Sequence, residues 1–130
     1  MKVTLPWPPK ALSPNARAHW AKKSRAAKQY RKTCYLLAKQ AMTPETAELV
    51  QKAVAGEIKL ALWLTFYPPD RRHRDDDNLV AAMKAGRDGL ADALGIDDKH
   101  FRTLPYLSDQ IRNGGAVVAV VTESPEVPGE

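Results

Sequence analysis

The sequence predicts an α+β domain in which a small mixed β-sheet packs with two long helices and one short helix. Three observations predict it. Residues 58–67 place apolar side chains at every second position, as a half-buried strand does, and two long stretches, 16–42 and 78–94, repeat their apolar residues at three- and four-residue spacing. Strands and helices also alternate without a strict βαβ rhythm, which favours a mixed sheet over a fully parallel one. At 130 residues the chain has the size of one domain, with enough length to bury a core unaided by disulfides.

The elements follow in order. Val3 and Leu5 alternate with polar neighbours and stop at Pro6-Trp7-Pro8-Pro9, a short first strand closed by a rigid segment. After a loop containing Ser13-Pro14-Asn15, the first long helix spans about Ala16 to Met42, with Tyr30, Cys34, Leu37, Ala38 and Ala41 on its apolar stripe. Thr43-Pro44-Glu45 reads as an N-cap with proline at the first helical position, opening a short helix to about Val54 that Gly56 ends. Ile58 to Tyr67 is the clearest strand and is placed centrally in the sheet; Pro68-Pro69 terminates it.

The second long helix spans about Asn78 to Leu94, with Leu79, Ala82, Met83, Gly86, Leu90, Ala93 and Leu94 inward and Gly95 as C-cap. A weak strand near Thr103–Leu107 and a stronger one at Ala116–Thr122 are joined through Asn113-Gly114-Gly115, a hairpin signal. The domain is therefore placed at residues 1–122, and the proline- and glutamate-rich 123–130 is expected to be a disordered acidic tail.

Composition narrows the function. Cys34, the single cysteine, has no intrachain partner and falls on an apolar stripe, which predicts a reduced, buried thiol. No segment approaches the roughly 20 apolar residues of a membrane span, so the expectation is a cytoplasmic protein with no membrane partner. The net charge is +5, and its distribution says more than its size: no acidic residue precedes Glu45. At about 100° per residue, Arg25, Lys28, Lys32 and Lys39 fall opposite the apolar stripe of the first helix, giving the basic block a face suited to a polyanion.

The chemistry concentrates in Asp75-Asp76-Asp77-Asn78, directly behind Arg71-Arg72-His73-Arg74. Adjacent carboxylates repel one another, and capping a helix needs only one of them, so the cluster points to a bound cation and the arginines to an anionic partner. On a continuous helix Lys84 and Asp88 return to within roughly 20° of the direction of Asp77. Carboxylates that hold Mg²⁺, beside a lysine that stabilises charge on phosphate, are what metal-assisted phosphoryl transfer requires. Taken separately, Lys84 and Asp88 read as an ordinary i,i+4 surface pair. An EF-hand is excluded by Val80 at its turn-glycine position, and His19, His73 and His100 lack zinc-site spacing. No Gly-rich phosphate loop occurs. Pro69-Asp70 with Asp97-Asp98-Lys99 superficially matches the PD-(D/E)xK nucleases, but here the second acid follows a helix and its glycine cap.

Leu5-Pro6-Trp7-Pro8-Pro9 with Asn15, Asp75-Asp76-Asp77-Asn78-Leu79, Lys84, Asp88-Gly89-Leu90 and Gly95-Ile96-Asp97-Asp98 together resemble the RusA-type Holliday junction resolvases of bacteria, phages and prophages. The resemblance covers most of the chain. It implies a homodimeric, Mg²⁺-dependent endodeoxyribonuclease with no organic cofactor, cutting branched four-way DNA by paired symmetric incisions. It implies Asp75, Asp77 and Asp98 as catalytic metal ligands and Lys84 as the catalytic lysine. Lys84 stands seven residues after Asp77, about one helical turn further than in many relatives, although its spacing to Asp88 is kept. Asn15, Lys22, Lys23, Arg25, Lys28, Lys32, Arg71, Arg72 and Arg74 are the expected DNA contacts.

Overall fold

The computed structural model describes residues 1–125 and shows an α+β fold. In chain order the elements are β1 (Lys2–Pro6), α1 (Trp20–Ala41), α2 (Pro44–Val54), β2 (Leu60–Tyr67), α3 (Asp76–Ala82), α4 (Lys84–Leu94), β3 (Phe101–Leu107) and β4 (Ala116–Glu123). The sheet has the order β1-β4-β2-β3, antiparallel except for the β2–β3 pair, so β2 is central as its pattern predicts. One sheet face, carrying Val3, Leu5, Leu60, Leu62, Leu64, Phe66, Val117, Ala119 and Val121, meets Tyr30, Cys34 and Ala38 of α1 and Leu90 and Leu94 of α4 in the main core. Gly95 adopts φ 72°, and its amide and that of Ile96 bond back to the last turn of α4, as the C-cap signal requires.

Four expectations change. The second long helix is two helices interrupted at Met83, whose φ of −84° and ψ of −1° stay right-handed but at the edge of the helical region. Its amide is shared between the Leu79 and Val80 carbonyls, a 3₁₀-like tightening. The physical reason is the core: Met83 is fully buried, and its Sδ lies 3.3 Å from the Tyr30 hydroxyl on α1. α1 therefore remains the one long helix, with three shorter ones.

The first helix begins at Trp20 and not near Ala16. The Ala16 amide closes a turn on the Ser13 carbonyl, and His19 caps the helix through Nδ1, which accepts from the Ala21 amide at 3.2 Å. Asn113-Gly114-Gly115 does not join a hairpin either, because β3 and β4 flank β2 on opposite sides. The glycines, at φ 78° and 75°, turn the chain past the end of β2, and a Cβ on Gly115 would stand 2.9 Å from the Trp7 side chain. Finally, the predicted tail begins too early. Glu123 continues β4 opposite Leu60, and the amide of the buried Ser124 donates to the Lys59 carbonyl at 2.7 Å. The rest of that expectation, residues 126–130, lies outside the described residues.

β3 read weakly because Pro105 sits inside it. As an outer strand paired only with β2, it tolerates a residue that has no amide hydrogen to donate. Among the described residues no helix is long and apolar enough to cross a membrane.

Cys34 is fully buried beside Tyr30, and burial pushes its thiol up to about 11 and the Tyr30 phenol higher still. An unfolded thiol ionises near pH 8.5, so above that pH the unfolded state binds fewer protons than the folded one, and stability falls as pH rises. The expected profile is flat from pH 7 to 8 and loses roughly 2–3 kcal/mol by pH 11 through Cys34 alone. Urea titrations across that range check it, since Cys34→Ala should shallow the decline and an unchanged slope would contradict the assignment.

Candidate functional site

The strand register decides where the site can lie. Pro6 of β1 and Tyr67 of β2 both align with Ala116 of β4, so the segments leaving β1 and β2 emerge at the same end of the sheet. Between them is an open cavity of about 630 Å³ bordered by Trp7 and Asn15 from the first segment, and by Arg72, Arg74, Asp75 and Asn78 from the second. A crevice beyond the carboxyl ends of strands is where ligands bind in many α/β sheets.

Local hydrogen bonds fold the loop from Asp70 to Asp75. Asp70 Oδ1 accepts from the Arg72 amide at 3.0 Å and from Arg74 Nη2 at 2.8 Å, while Arg74 Nη1 reaches the carbonyls of Asp70 and Arg72. The Arg72 amide, followed by the Arg74 guanidinium, holds the Asp70 carboxyl below the usual carboxylate range. Arg74 also lies 5.5 Å from the centre of the Trp7 ring, linking the two walls. Its guanidinium is thus committed to holding the loop, and the freer arginines of the run are the exposed Arg71 and Arg72. Asp70, the acid that a PD-(D/E)xK reading would need, serves the same structural purpose.

Asp75 caps α3, its Oδ1 accepting from the Asp77 amide at 2.8 Å. Asp76 and Asp77 fill the first turn, and all three carboxylates are exposed. Among the described residues none of the three forms an ion pair, although four cationic or titratable residues precede them directly. The helix N-terminus offsets part of this charge.

Asp98 does not join them. Because β3 runs parallel to β2, Phe101 pairs with Leu60 at the beginning of β2, and Asp98 precedes Phe101 at that end. Asp75 follows the other end of β2, an eight-residue strand spanning about 23 Å. Asp98 instead borders a small hollow of about 220 Å³ with Arg31, Asp88 and Asp92. Its neighbour Asp97 accepts from the Lys99 amide at 3.1 Å, and that bond, followed by a side-chain interaction with Asp98, holds Asp97 below the carboxylate range. Among the described residues no three His, Cys, Asp or Glu side chains stand together as a metal-holding group. The expected set of Asp75, Asp77 and Asp98 is therefore not assembled.

Lys84 is corrected as well. With the helix interrupted at Met83, the stripe argument that aligned it with Asp77 no longer applies. Lys84 is mostly exposed, lies 3.7 Å from Asp88 and is absent from the cavity wall. It is the i,i+4 pair that spacing alone suggested.

The basic face of α1 forms as expected. Lys22, Arg25, Lys28, Lys32 and Lys39 are exposed and Lys23 half-buried, while Tyr30, Cys34 and Ala38 point inward. Arg31, a member of the basic block that was not among the expected DNA contacts, grips Asp92 of α4 through two hydrogen bonds of 2.7 and 2.9 Å. Trp7, Asp70 and Asn78 were also missed as wall residues. The proline-flanked tryptophan and the asparagine closing the acidic run were their only sequence signals.

No family model matches the chain. It is 47% identical over 120 residues to an uncharacterized protein of Xylella fastidiosa (strain Temecula1 / ATCC 700964), a match that spans 92% of this chain and 74% of that protein. The chain belongs to the family of that bacterial protein. Its members share enough sequence for one fold, so the Asp70–Arg74 clamp can be sought in the relative from its sequence alone.

Proposed function

We propose that the protein is a RusA-type, Mg²⁺-dependent endodeoxyribonuclease that acts as a homodimer on branched DNA. The observation that carries the reading is the exposed Asp75–Asp77 run, with no ion-pair partner among the described residues, whose first member, Asp75, lines a cavity that also presents Arg72 and Asn15. Such a donor set fits Mg²⁺, which takes one or two carboxylates and completes its shell with waters and phosphate oxygens. Asp75 and Asp77 would hold the ion, and Asp98 is no part of the set. Mg²⁺ supplies Lewis-acid stabilisation of charge on the scissile phosphate.

The other roles belong to the chain itself. Arg72 and Asn15 bind and orient phosphate at the cavity. Arg74 and Asp70 hold the Arg72 backbone and the start of α3 in register with Trp7. The basic face of α1 tracks the duplex arms through phosphate contacts. A two-fold dimer matches the two equivalent strands that a symmetric resolution must cut.

A mobile four-way junction and a linear duplex of equal length, each incubated with and without Mg²⁺, provide the test. The expected result is paired incision of the junction alone, only with Mg²⁺. Junction binding without cleavage under any divalent metal would replace the nuclease by an accessory DNA-binding protein.

A further inference from the structure

We propose that Trp20 is a stacking platform for an unpaired DNA base. The inference rests on the DNA-binding part of the reading above and adds the feature of the substrate that this surface recognises. Trp20 opens α1 with 75% of its surface exposed, the most exposed large apolar side chain among the described residues. A tryptophan left in water is informative when its surroundings explain its position. Here His19 Nδ1 is fixed by the Ala21 amide, and the His19 and Trp20 ring centres lie 5.5 Å apart with the planes tilted by 35°. The indole thus stands beside an imidazole that the helix N-terminus holds in place, with its outer face open.

Its electrostatic setting is of one sign. Arg17, Lys22 and Arg25 are exposed within five residues of Trp20, and no acidic residue precedes Glu45. Aromatic side chains set in a positively charged track are how proteins hold single strands, because every base offers a π-face and every nucleotide a phosphate. The position suits the proposed substrate as well. Ala16 lines the carboxylate-bearing cavity, and four residues of chain place the Trp20 Cα no more than about 14 Å from it.

An anionic membrane would also meet a basic segment with a tryptophan, but α1 has no apolar face to insert. Its stripe is buried in the core, and its other exposed large apolar residue, Leu36, is about 24 Å further along the helix.

The test measures binding of Trp20→Ala and Trp20→Phe by fluorescence anisotropy without Mg²⁺. The probes are single-stranded DNA, the four-way junction, a linear duplex, and phosphatidylserine vesicles. Trp20→Ala should weaken single-strand and junction binding roughly 5- to 100-fold and duplex binding less than about 2-fold. Trp20→Phe should restore most of the loss. Equal affinities for wild type and Trp20→Ala, a uniform loss on all three DNAs, no DNA binding by the wild type, or Trp20-dependent vesicle binding would each overturn the proposal. Selective, Trp20-dependent binding without any cleavage would uphold the platform while removing the nuclease. Junction cleavage with unchanged Trp20→Ala binding would do the reverse.

Discussion

Asp75→Asn is expected to abolish junction cleavage while leaving the fold intact. The substitution separates two roles that the structure gives to one side chain. As N-cap of α3, Asp75 needs only an oxygen to accept the Asp77 amide, and asparagine serves as well as aspartate there. As a metal ligand it needs the negative charge, which asparagine lacks. The expected loss of cleavage is on the order of 10³-fold or more, as when a group stabilising transition-state charge is removed. Thermal unfolding should hardly move. Junction affinity without metal should hold or rise, since a negative charge leaves the neighbourhood of phosphate. Asp75→Ala should in addition cost about 1 kcal/mol through the lost cap. Cleavage by Asp75→Asn within about 10-fold of wild type would reduce Asp75 to a cap and leave the metal proposal without its first ligand.

Gly89→Ala is expected to destabilise the protein by about 3 kcal/mol, at the upper end of the range for overpacking. Helix propensity alone predicts the opposite sign, a gain of about 1 kcal/mol for alanine inside α4. Packing decides, because a Cβ at Gly89 would collide with the Arg31 carbonyl oxygen and stand 3.1 Å from the Tyr35 amide nitrogen. Both belong to the backbone of α1 and cannot move aside as a side chain can. The Arg31–Asp92 pair locks the same approach from its edge. Calorimetry should show a melting temperature lower by roughly 10 °C or more. Gly86→Ala should cost less, since its nearest neighbours are side-chain atoms of Tyr30 and Met83. A Gly89→Ala protein as stable as wild type would mean that α1 and α4 are further apart than described.

The two predictions also mark how far sequence reasoning reached. Period and punctuation located β1, α2, β2 and β4, the Gly95 cap and the buried Cys34, because those signals act within a few residues. They also placed the basic face of α1, which follows from helical geometry once the buried stripe is known. Gly89 read only as part of a motif, since nothing local says that another helix lies against it. The break at Met83 was equally hidden: residues 78–94 carry an unbroken helical pattern, and the interruption answers to Tyr30, far away in the chain.

The candidate site divides along the same line. The sequence by itself determined that Asp75, Asp76 and Asp77 would crowd the start of a helix behind a basic run, since chain neighbours remain neighbours in any fold. Only the tertiary structure decided which partners reach them. It brings Asn15 and Trp7 to the cavity that Asp75 lines because β1 and β2 end together, and it commits Arg74 to Asp70. It takes Asp98 to the other end of β2 because the β2–β3 pair is parallel, so β3 must begin where β2 begins. Strand direction is a property of long-range hydrogen bonding, and no spacing of aspartates along the chain encodes it.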